Sequence, residues 1–173
     1  MSQQPGRAVI NGLEFAQAGA TQRGAFPLGT FARLRDLLAS DSGEATYEVR
    51  GVRDARDRPS LRLRVQATLQ LRCQRCLEAL PQVVEADSLL VLAVSQAEIE
   101  ADQAGPDTGP DAPDLVLGGA EMSLAALVED ELILAVPYAP RHDGCKPIAA
   151  GGERRIAAGS SPFAGLKGLL RKH

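Results

Sequence analysis

Residues 60–72 read SLRLRVQATLQLR, a stretch in which apolar and polar side chains alternate without a break. The apolar positions are Leu61, Leu63, Val65, Ala67, Leu69 and Leu71, and the polar ones are Arg62, Arg64, Gln66, Thr68, Gln70 and Arg72. Because successive side chains of a strand point to opposite faces, this period of two predicts a strand with one buried and one polar face. Sheets that expose one face in this way are usually antiparallel.

The segments on either side of this stretch predict further strands. ATYEVRGVRDARDR (45–58) indicates a strand that leads into a polar turn. VVEADSLLVLAVS (83–95) indicates another, and its continuous apolar end from Leu89 to Val94 predicts burial on both faces. DLVL (114–117) fits a short strand, while residues 1–28 have weak periodicity that fits a strand or an extended arm.

Two stretches have apolar residues at helical spacing. TFARLRDLLAS (30–40) predicts a short amphipathic helix with Thr30 as its N-cap. SLAALVEDELILAVP (123–137) predicts a second helix that begins at Ser123 and ends before Pro137. The three consecutive acidic residues at 129–131 point to different sides of that helix, so we interpret them as a solvated face and not as a site.

Together these patterns predict the α+β class, with an antiparallel sheet built from a long hairpin or meander and a few packed helices. We expect residues 1–145 to form a single domain. The acidic, Pro- and Gly-rich segment 96–114 predicts a flexible surface insertion in that domain. Residues 146–173 predict a basic, loosely attached C-terminal tail in which Pro162 begins a short helix.

Composition narrows the class of protein further. A chain of 173 residues suits one domain, and it contains no run of eighteen apolar residues that would predict a transmembrane helix. The first fifteen residues lack the apolar core of a signal peptide, so we expect a cytoplasmic protein. Three cysteines in such a protein do not make a disulfide framework, and a closely spaced pair favours metal binding or catalysis.

Charge is segregated along the chain, although the net charge is only −3. Residues 50–75 contain eight arginines and two aspartates. Residues 76–140 contain no lysine or arginine and thirteen acidic residues, and residues 141–173 are basic again. The basic and acidic segments therefore suggest different partners.

A strand face of arginine, glutamine and threonine can contact phosphates and 2′-hydroxyls, which makes RNA a candidate partner. The candidate RNA-binding residues are Arg50, Arg53, Arg58, Arg62, Arg64, Arg72 and Arg75. No aromatic residue lies on this face, so the RNA backbone or structured RNA fits better than stacked bases. A plain solvated face is an equally good interpretation. The acidic half, 76–140, could capture a basic protein or fold back on the arginines.

RCQRCL (72–77) follows directly from the alternating strand and contains a CxxC pair, a spacing that brings two sulfurs onto one metal ion. The chain's third cysteine lies in RHDGCK, three residues after a histidine. The candidate zinc ligands are therefore Cys73, Cys76, His142 and Cys145. Structural thiols without metal are the alternative. A redox pair is a weaker one, because redox CxxC pairs normally precede a helix, and Pro81 leaves room here for only a brief turn.

No other catalytic constellation is present, so an enzyme is not expected. Three stretches carry a resemblance: CQRCL (73–77), EDELILAVPYAPRHDGC (129–145) and SPFAGLKGL (161–169). They resemble, in this order, the YceD-like family of bacterial large ribosomal RNA subunit accumulation proteins. The last stretch has Ser161 where the family has asparagine. The order and span of the three stretches make the resemblance fairly specific.

The resemblance implies a non-catalytic role in synthesis, processing or stability of 23S rRNA and in biogenesis of the large ribosomal subunit. The implied partners are 23S rRNA or its precursor, or a large-subunit assembly protein, with no small-molecule substrate. Some relatives carry further cysteines near the position of Cys145, which favours a metal site. In this chain no cysteine follows Cys145, so His142 would have to complete the ligand set.

Overall fold

The structure is a computed structural model and describes residues 9–103 and 114–147, so the expected tail helix after Pro162 lies outside the described residues. The strands in these ranges are β1 (Val9–Ile10), β2 (Thr21–Pro27), β3 (Leu38–Ser40), β4 (Glu44–Arg53), β5 (Pro59–Arg72), β6 (Ala79–Ala93), β7 (Asp114–Leu117) and β8 (Met122–Ser123). The helices in these ranges are α1 (Gly12–Gln17), α2 (Gln96–Gln103) and α3 (Leu124–Ala135). The predicted α+β class is confirmed.

The alternating stretch forms β5, the central strand of the main sheet. The sheet has the order β2-β4-β5-β6-β7, and β3 pairs with the last residues of β5. All pairings are antiparallel except that of β6 with β7, which is parallel. The apolar positions of β5 are buried, and its arginines lie on the opposite face, as predicted. β1 and β8 form a separate two-stranded ribbon.

Helices α1 and α3 cover the buried face of the sheet. Ala16 of α1 and Val128 of α3 belong to the same core as the leucines of β5. The backbone of α1 lies directly on β4, because a Cβ atom added at Gly51 would be 2.3 Å from the carbonyl oxygen of Phe15. The sequence did not predict α1, since a helix of six residues is too short to produce a recognisable period.

The helix predicted over residues 30–40 is wrong. The segment contains two short 3-10 helices, Leu28–Thr30 and Leu34–Leu37, and then β3. Thr30 does not cap a helix, because its hydroxyl donates to the Pro27 carbonyl at 2.6 Å. The apolar spacing correctly marked the buried residues Phe31, Leu34 and Leu38, but the backbone amides of Arg33 and Leu34 find their partner on α3.

That partner is Glu129, and its environment contradicts the interpretation of residues 129–131 as a solvated face. The Glu129 carboxylate accepts hydrogen bonds from the backbone amides of Arg33 at 2.6 Å and Leu34 at 3.1 Å, and it also pairs with the Arg33 guanidinium. Asp130 binds the same guanidinium at 2.6 Å. Glu131 is buried as well and accepts a hydrogen bond from the Ser88 hydroxyl.

The acidic segment expected to be a flexible insertion begins as a helix, α2. Its start is fixed by a reciprocal pair of bonds: Ser95 Oγ accepts from the Glu98 amide at 3.3 Å, and the Glu98 carboxylate accepts from the Val94 amide at 2.9 Å. The arrangement is that of a capping box, whose Ser-x-x-Glu signal is present in the sequence, except that the Glu98 carboxylate binds the amide one residue before the N-cap. Helix α3 begins at the predicted N-cap, Ser123. Within the described ranges, no helix has the length and apolar character needed to cross a bilayer.

Candidate functional site

The CxxC pair lies in the turn that joins β5 to β6. The Cys73 amide donates to the Glu78 carbonyl at 2.9 Å, and the Leu77 amide donates to the Cys73 carbonyl at 3.0 Å, which closes the turn. Leu77 has a positive φ of 61°, an unusual conformation for a residue with a branched side chain. A second turn, residues 141–147, follows α3, and the Pro140 carbonyl just before it accepts from the Gln74 amide at 2.9 Å.

The two turns bring all four predicted ligands together. One ligand atom from each of Cys73, Cys76, His142 and Cys145 lies within 4.8 Å of the others. The Cys73 and Cys145 sulfurs are 3.7 Å apart, and Cys76 Sγ is 3.4 Å from His142 Nδ1. In a tetrahedral zinc site the bond lengths place two sulfurs about 3.8 Å apart and a sulfur and a nitrogen about 3.6 Å apart. These two spacings therefore match those of a tetrahedral site, and the other pairs of ligand atoms lie within 4.8 Å.

The surroundings of the ligands also fit a metal. With Nδ1 of His142 towards the cysteines, Nε2 donates to the Ala79 carbonyl at 3.1 Å, which fixes the ring in the way that metal-binding histidines usually require. The Arg75 amide donates to the Cys73 sulfur at 3.4 Å. Burial raises the pKa of the Cys73 thiol, but hydrogen bonds around it outweigh burial and bring that pKa to about 5. Four protein ligands with no open position are typical of a structural site.

The context of the CxxC pair differs from that of a redox pair. Residue 79 begins β6, so a strand follows the pair and no helix N-terminus is present to stabilise a thiolate. Cys73 is fully buried, and Cys76 is partly buried. A lowered pKa such as that of Cys73 is found in redox and in metal-binding cysteines alike, but the full burial of Cys73 and the strand that follows the pair fit metal binding better than a thiol oxidoreductase.

The polar face of the sheet is a ladder of alternating charge. In the strand register, Arg23 of β2, Glu48 of β4, Arg64 of β5 and Asp87 of β6 lie side by side. Arg23 forms an ion pair with Glu48, and Arg64 Nε lies 3.2 Å from Asp87 Oδ2. Arg62 binds the other oxygen of Asp87. The acidic half of the chain therefore does fold back on these arginines.

The seven candidate RNA-binding arginines differ in how they are paired. Arg53 lies 3.3 Å from an Asp57 carboxylate oxygen, and Arg58, which is half-buried, binds Asp54 at 2.8 Å. Arg50, Arg72 and Arg75 form no ion pair with any residue in 9–103 or 114–147. A groove of about 350 Å³ on the polar face is lined by Arg50, Arg53, Arg62 and Arg64 together with Glu48 and Asp54.

A comparison with protein families identifies the chain. The family model described as large ribosomal RNA subunit accumulation protein YceD matches residues 61–170, well over half of the sequence. The chain belongs to the YceD family. Among curated proteins and among solved structures, nothing matches it significantly. The YceD match begins in β5 and includes both cysteine-containing turns, so the resemblance stated from the motifs is confirmed.

Sequence reasoning missed two features of the site in this YceD-family chain. The first is Asp87, which neutralises two arginines of β5, and only the register of β5 against β6 could have revealed it. The second is the pair of cations in the turn after α3, Arg141 and Lys146, which lie next to ligand residues. Both cations can be read from the sequence RHDGCK, but only the structure shows that this turn lies beside the β5–β6 hairpin.

Proposed function

We propose that this protein is a non-catalytic factor in the synthesis, processing or stability of 23S rRNA, and thereby in biogenesis of the large ribosomal subunit. The observation that carries the proposal is the YceD family match over residues 61–170, since the name of that family refers to accumulation of large-subunit rRNA and to no reaction. The partner is 23S rRNA or its precursor, contacted by the hairpin of β4, β5 and β6.

The arginines of this hairpin support the proposal. The proposed contacts are Arg50, Arg53, Arg58, Arg62, Arg64, Arg72 and Arg75. An arginine that is bound to a carboxylate must give up part of that interaction to bind a phosphate, so the paired residues contribute less. Arg50, Arg72 and Arg75 have no such partner in the described ranges and contribute most.

Crosslinking in cells, followed by identification of the attached RNA and protein, tests this function. We expect 23S rRNA sequences in the crosslinked material, and we expect their yield to fall several-fold in the triple variant Arg50→Gln, Arg72→Gln and Arg75→Gln. The control is Arg23→Gln, which removes a cation of β2 that is already paired. Recovery of a basic ribosomal protein without rRNA would instead favour a protein-binding module that uses the acidic half, 76–140.

We further propose that Cys73, Cys76, His142 and Cys145 hold one structural zinc ion. Its support is the set of spacings between the four ligand atoms together with the Nε2 hydrogen bond of His142. The ion would join the end of the β5–β6 hairpin to the turn after α3. It would have no open position for a substrate, which agrees with a non-catalytic role.

Elemental analysis of protein purified without chelator tests the zinc site. We expect about one zinc per chain, and a large loss of zinc in Cys73→Ser and in His142→Ala. His173→Ala removes the chain's other histidine and should keep the metal. A zinc content near zero in the unsubstituted protein would exclude the site, and a content unaffected by His142→Ala would remove that residue from the ligand set.

A further inference from the structure

Each of the four candidate ligand residues has a cation directly beside it in the sequence. The pairs are Arg72–Cys73, Arg75–Cys76, Arg141–His142 and Cys145–Lys146. We call the four cations the basic rim. Because the ligand atoms lie within 4.8 Å of one another and successive α-carbons are about 3.8 Å apart, the α-carbons of the basic rim are confined to roughly 20 Å.

The basic rim is not neutralised in the way that the centre of the sheet is. All four of its side chains are exposed, and none forms an ion pair with a residue that the structure describes. The acidic residues of the same two turns are Glu78 and Asp143, both exposed. Four cations against two carboxylates leave a local positive charge, whereas Arg62 and Arg64 share Asp87.

A fully exposed aromatic residue lies in the segment that leads into the second of these turns. Tyr138 is fully exposed, and it precedes by two residues Pro140, whose carbonyl accepts from the Gln74 amide. Its backbone therefore lies next to the CxxC turn. An exposed aromatic ring next to a cluster of cations is the combination that binds single-stranded nucleic acid, since the ring stacks on a base while the cations contact phosphates.

We propose that the basic rim and Tyr138 form a binding site for single-stranded RNA, with the cations on the phosphates and the tyrosine ring on a base. The inference rests on the proposed rRNA role and adds to it the turn after α3, to which the hairpin arginines do not belong. Two hydrogen bonds, Gln74 to Pro140 and His142 to Ala79, join that turn to the hairpin. The close approach of the four ligand atoms also joins the two turns, which keeps Arg141 and Lys146 near the end of the hairpin.

Binding of a labelled single-stranded oligouridylate, measured by fluorescence anisotropy over a range of salt concentrations, tests the site. We expect Arg141→Gln combined with Lys146→Gln to weaken binding at least tenfold at low salt. The slope of log affinity against log salt should fall by about 1.4, because each phosphate contact on a single strand contributes about 0.7. The matched control, Arg23→Gln with Arg35→Gln, removes two exposed cations that belong neither to the proposed RNA contacts nor to the basic rim, and it should change affinity less than about twofold because it removes no phosphate contact.

Tyr138 separates RNA from an acidic protein surface as the ligand. Tyr138→Phe keeps a ring that can stack and should bind as well as the unsubstituted protein, whereas Tyr138→Ala should lose about tenfold in affinity. Equal affinity of all three would contradict stacking and leave a general polyanion site, which overturns the assignment to RNA. Equal losses of oligouridylate affinity in the Arg141 and Lys146 double variant and in its control would overturn the proposal that the basic rim binds RNA.

A measurement on the unsubstituted protein guards against misfolded variants. Oligouridylate should protect Lys146 from acetylation, and full reactivity of Lys146 in the complex would overturn the proposal. Failure of this further inference can be distinguished from failure of the proposed rRNA function. Absence of rRNA crosslinks in cells, with rim-dependent oligouridylate binding retained, rejects only the cellular role. Crosslinks that need Arg72 and Arg75 but not Arg141 and Lys146 would support the proposed function and overturn the further inference, which requires the cations of both turns.

Discussion

Glu129 shows how one residue can set the path of a distant segment. Its buried carboxylate accepts hydrogen bonds from the amides of Arg33 and Leu34 at the start of the 3-10 helix Leu34–Leu37, where helical amides lack acceptors of their own, and so ties this segment to α3. Burial raises the pKa of this carboxyl, but the Leu34 amide and the Arg33 side chain outweigh burial, and the pKa lies below its usual value. The ionised form is therefore the one that the fold stabilises.

We expect Glu129→Gln to lower the free energy of unfolding by about 2 kcal/mol at neutral pH, because it removes charge-assisted hydrogen bonds. Since the folded-state pKa is depressed, this contribution is complete above the unfolded value of about 4.3 and is lost as the pH falls through the lower folded value. Urea unfolding at several pH values should therefore show a difference between the two proteins that shrinks in acid.

Glu121→Gln provides the control for that prediction. Glu121 is exposed and lies just before β8, so its substitution should leave stability nearly unchanged at neutral pH. A Glu129→Gln protein that is as stable as the control would show that the carboxylate does not hold the 33–34 segment.

At the scale of elements, the contact between α1 and β4 is a close approach of two backbones. Gly51 allows it, because any side chain at this position would meet the backbone of Phe15 and Ala16. The Gly51 amide also donates to the Ala20 carbonyl at 2.8 Å, which ties the end of α1 to the strand. The helix that the sequence concealed is thus held by this backbone contact together with Ala16 in the core and with Leu13 and Phe15 packed against it.

Gly51→Ala should destabilise the fold by roughly 1–3 kcal/mol, because the added methyl must push α1 away from the sheet. Thermal and urea unfolding measure the change. Gly119→Ala is a matched control, since the nearest atom to its added Cβ is 3.9 Å away. Equal stability of the two variants would mean that α1 shifts without cost and does not contribute to the core.

On the scale of the whole molecule, the ligand cluster joins parts of the chain that the core does not. The main apolar core lies between the sheet and helices α1 and α3, and it does not include residues 137–147. The turn after α3 has no helix or strand of its own within the described residues. A metal ion would thus stabilise mainly this turn and the end of the hairpin, while the sheet keeps its own packing.

Removal of zinc by a chelator should therefore have a local effect. We expect faster amide hydrogen exchange in residues 73–79 and 137–147, with the centre of β5 still protected and the thermal unfolding midpoint only moderately lowered. Addition of zinc should restore the slow exchange. Global unfolding on chelation would contradict the idea of an independent core, and an unchanged exchange pattern after zinc loss would contradict the structural role of the ion.

The sequence alone determined the parts of this protein that depend on local periodicity and on motif. The alternation of residues 60–72 predicted β5 and its two faces, Ser123 predicted the start of α3, and the cysteine spacings predicted the four ligands together. The family could also be identified from motifs, because CQRCL and RHDGC can be recognised without coordinates, and both lie within the family match over residues 61–170.

Only the tertiary structure decided the features that depend on partners distant in sequence. Glu129 binds the amide of Arg33 from ninety-six positions away, and Asp87 neutralises arginines that looked free on β5. Local side-chain patterns record which residues are buried, but not which polar groups meet after folding. For the same reason, the cations around the ligand cluster became a candidate surface only when two turns, far apart in the chain, were seen side by side.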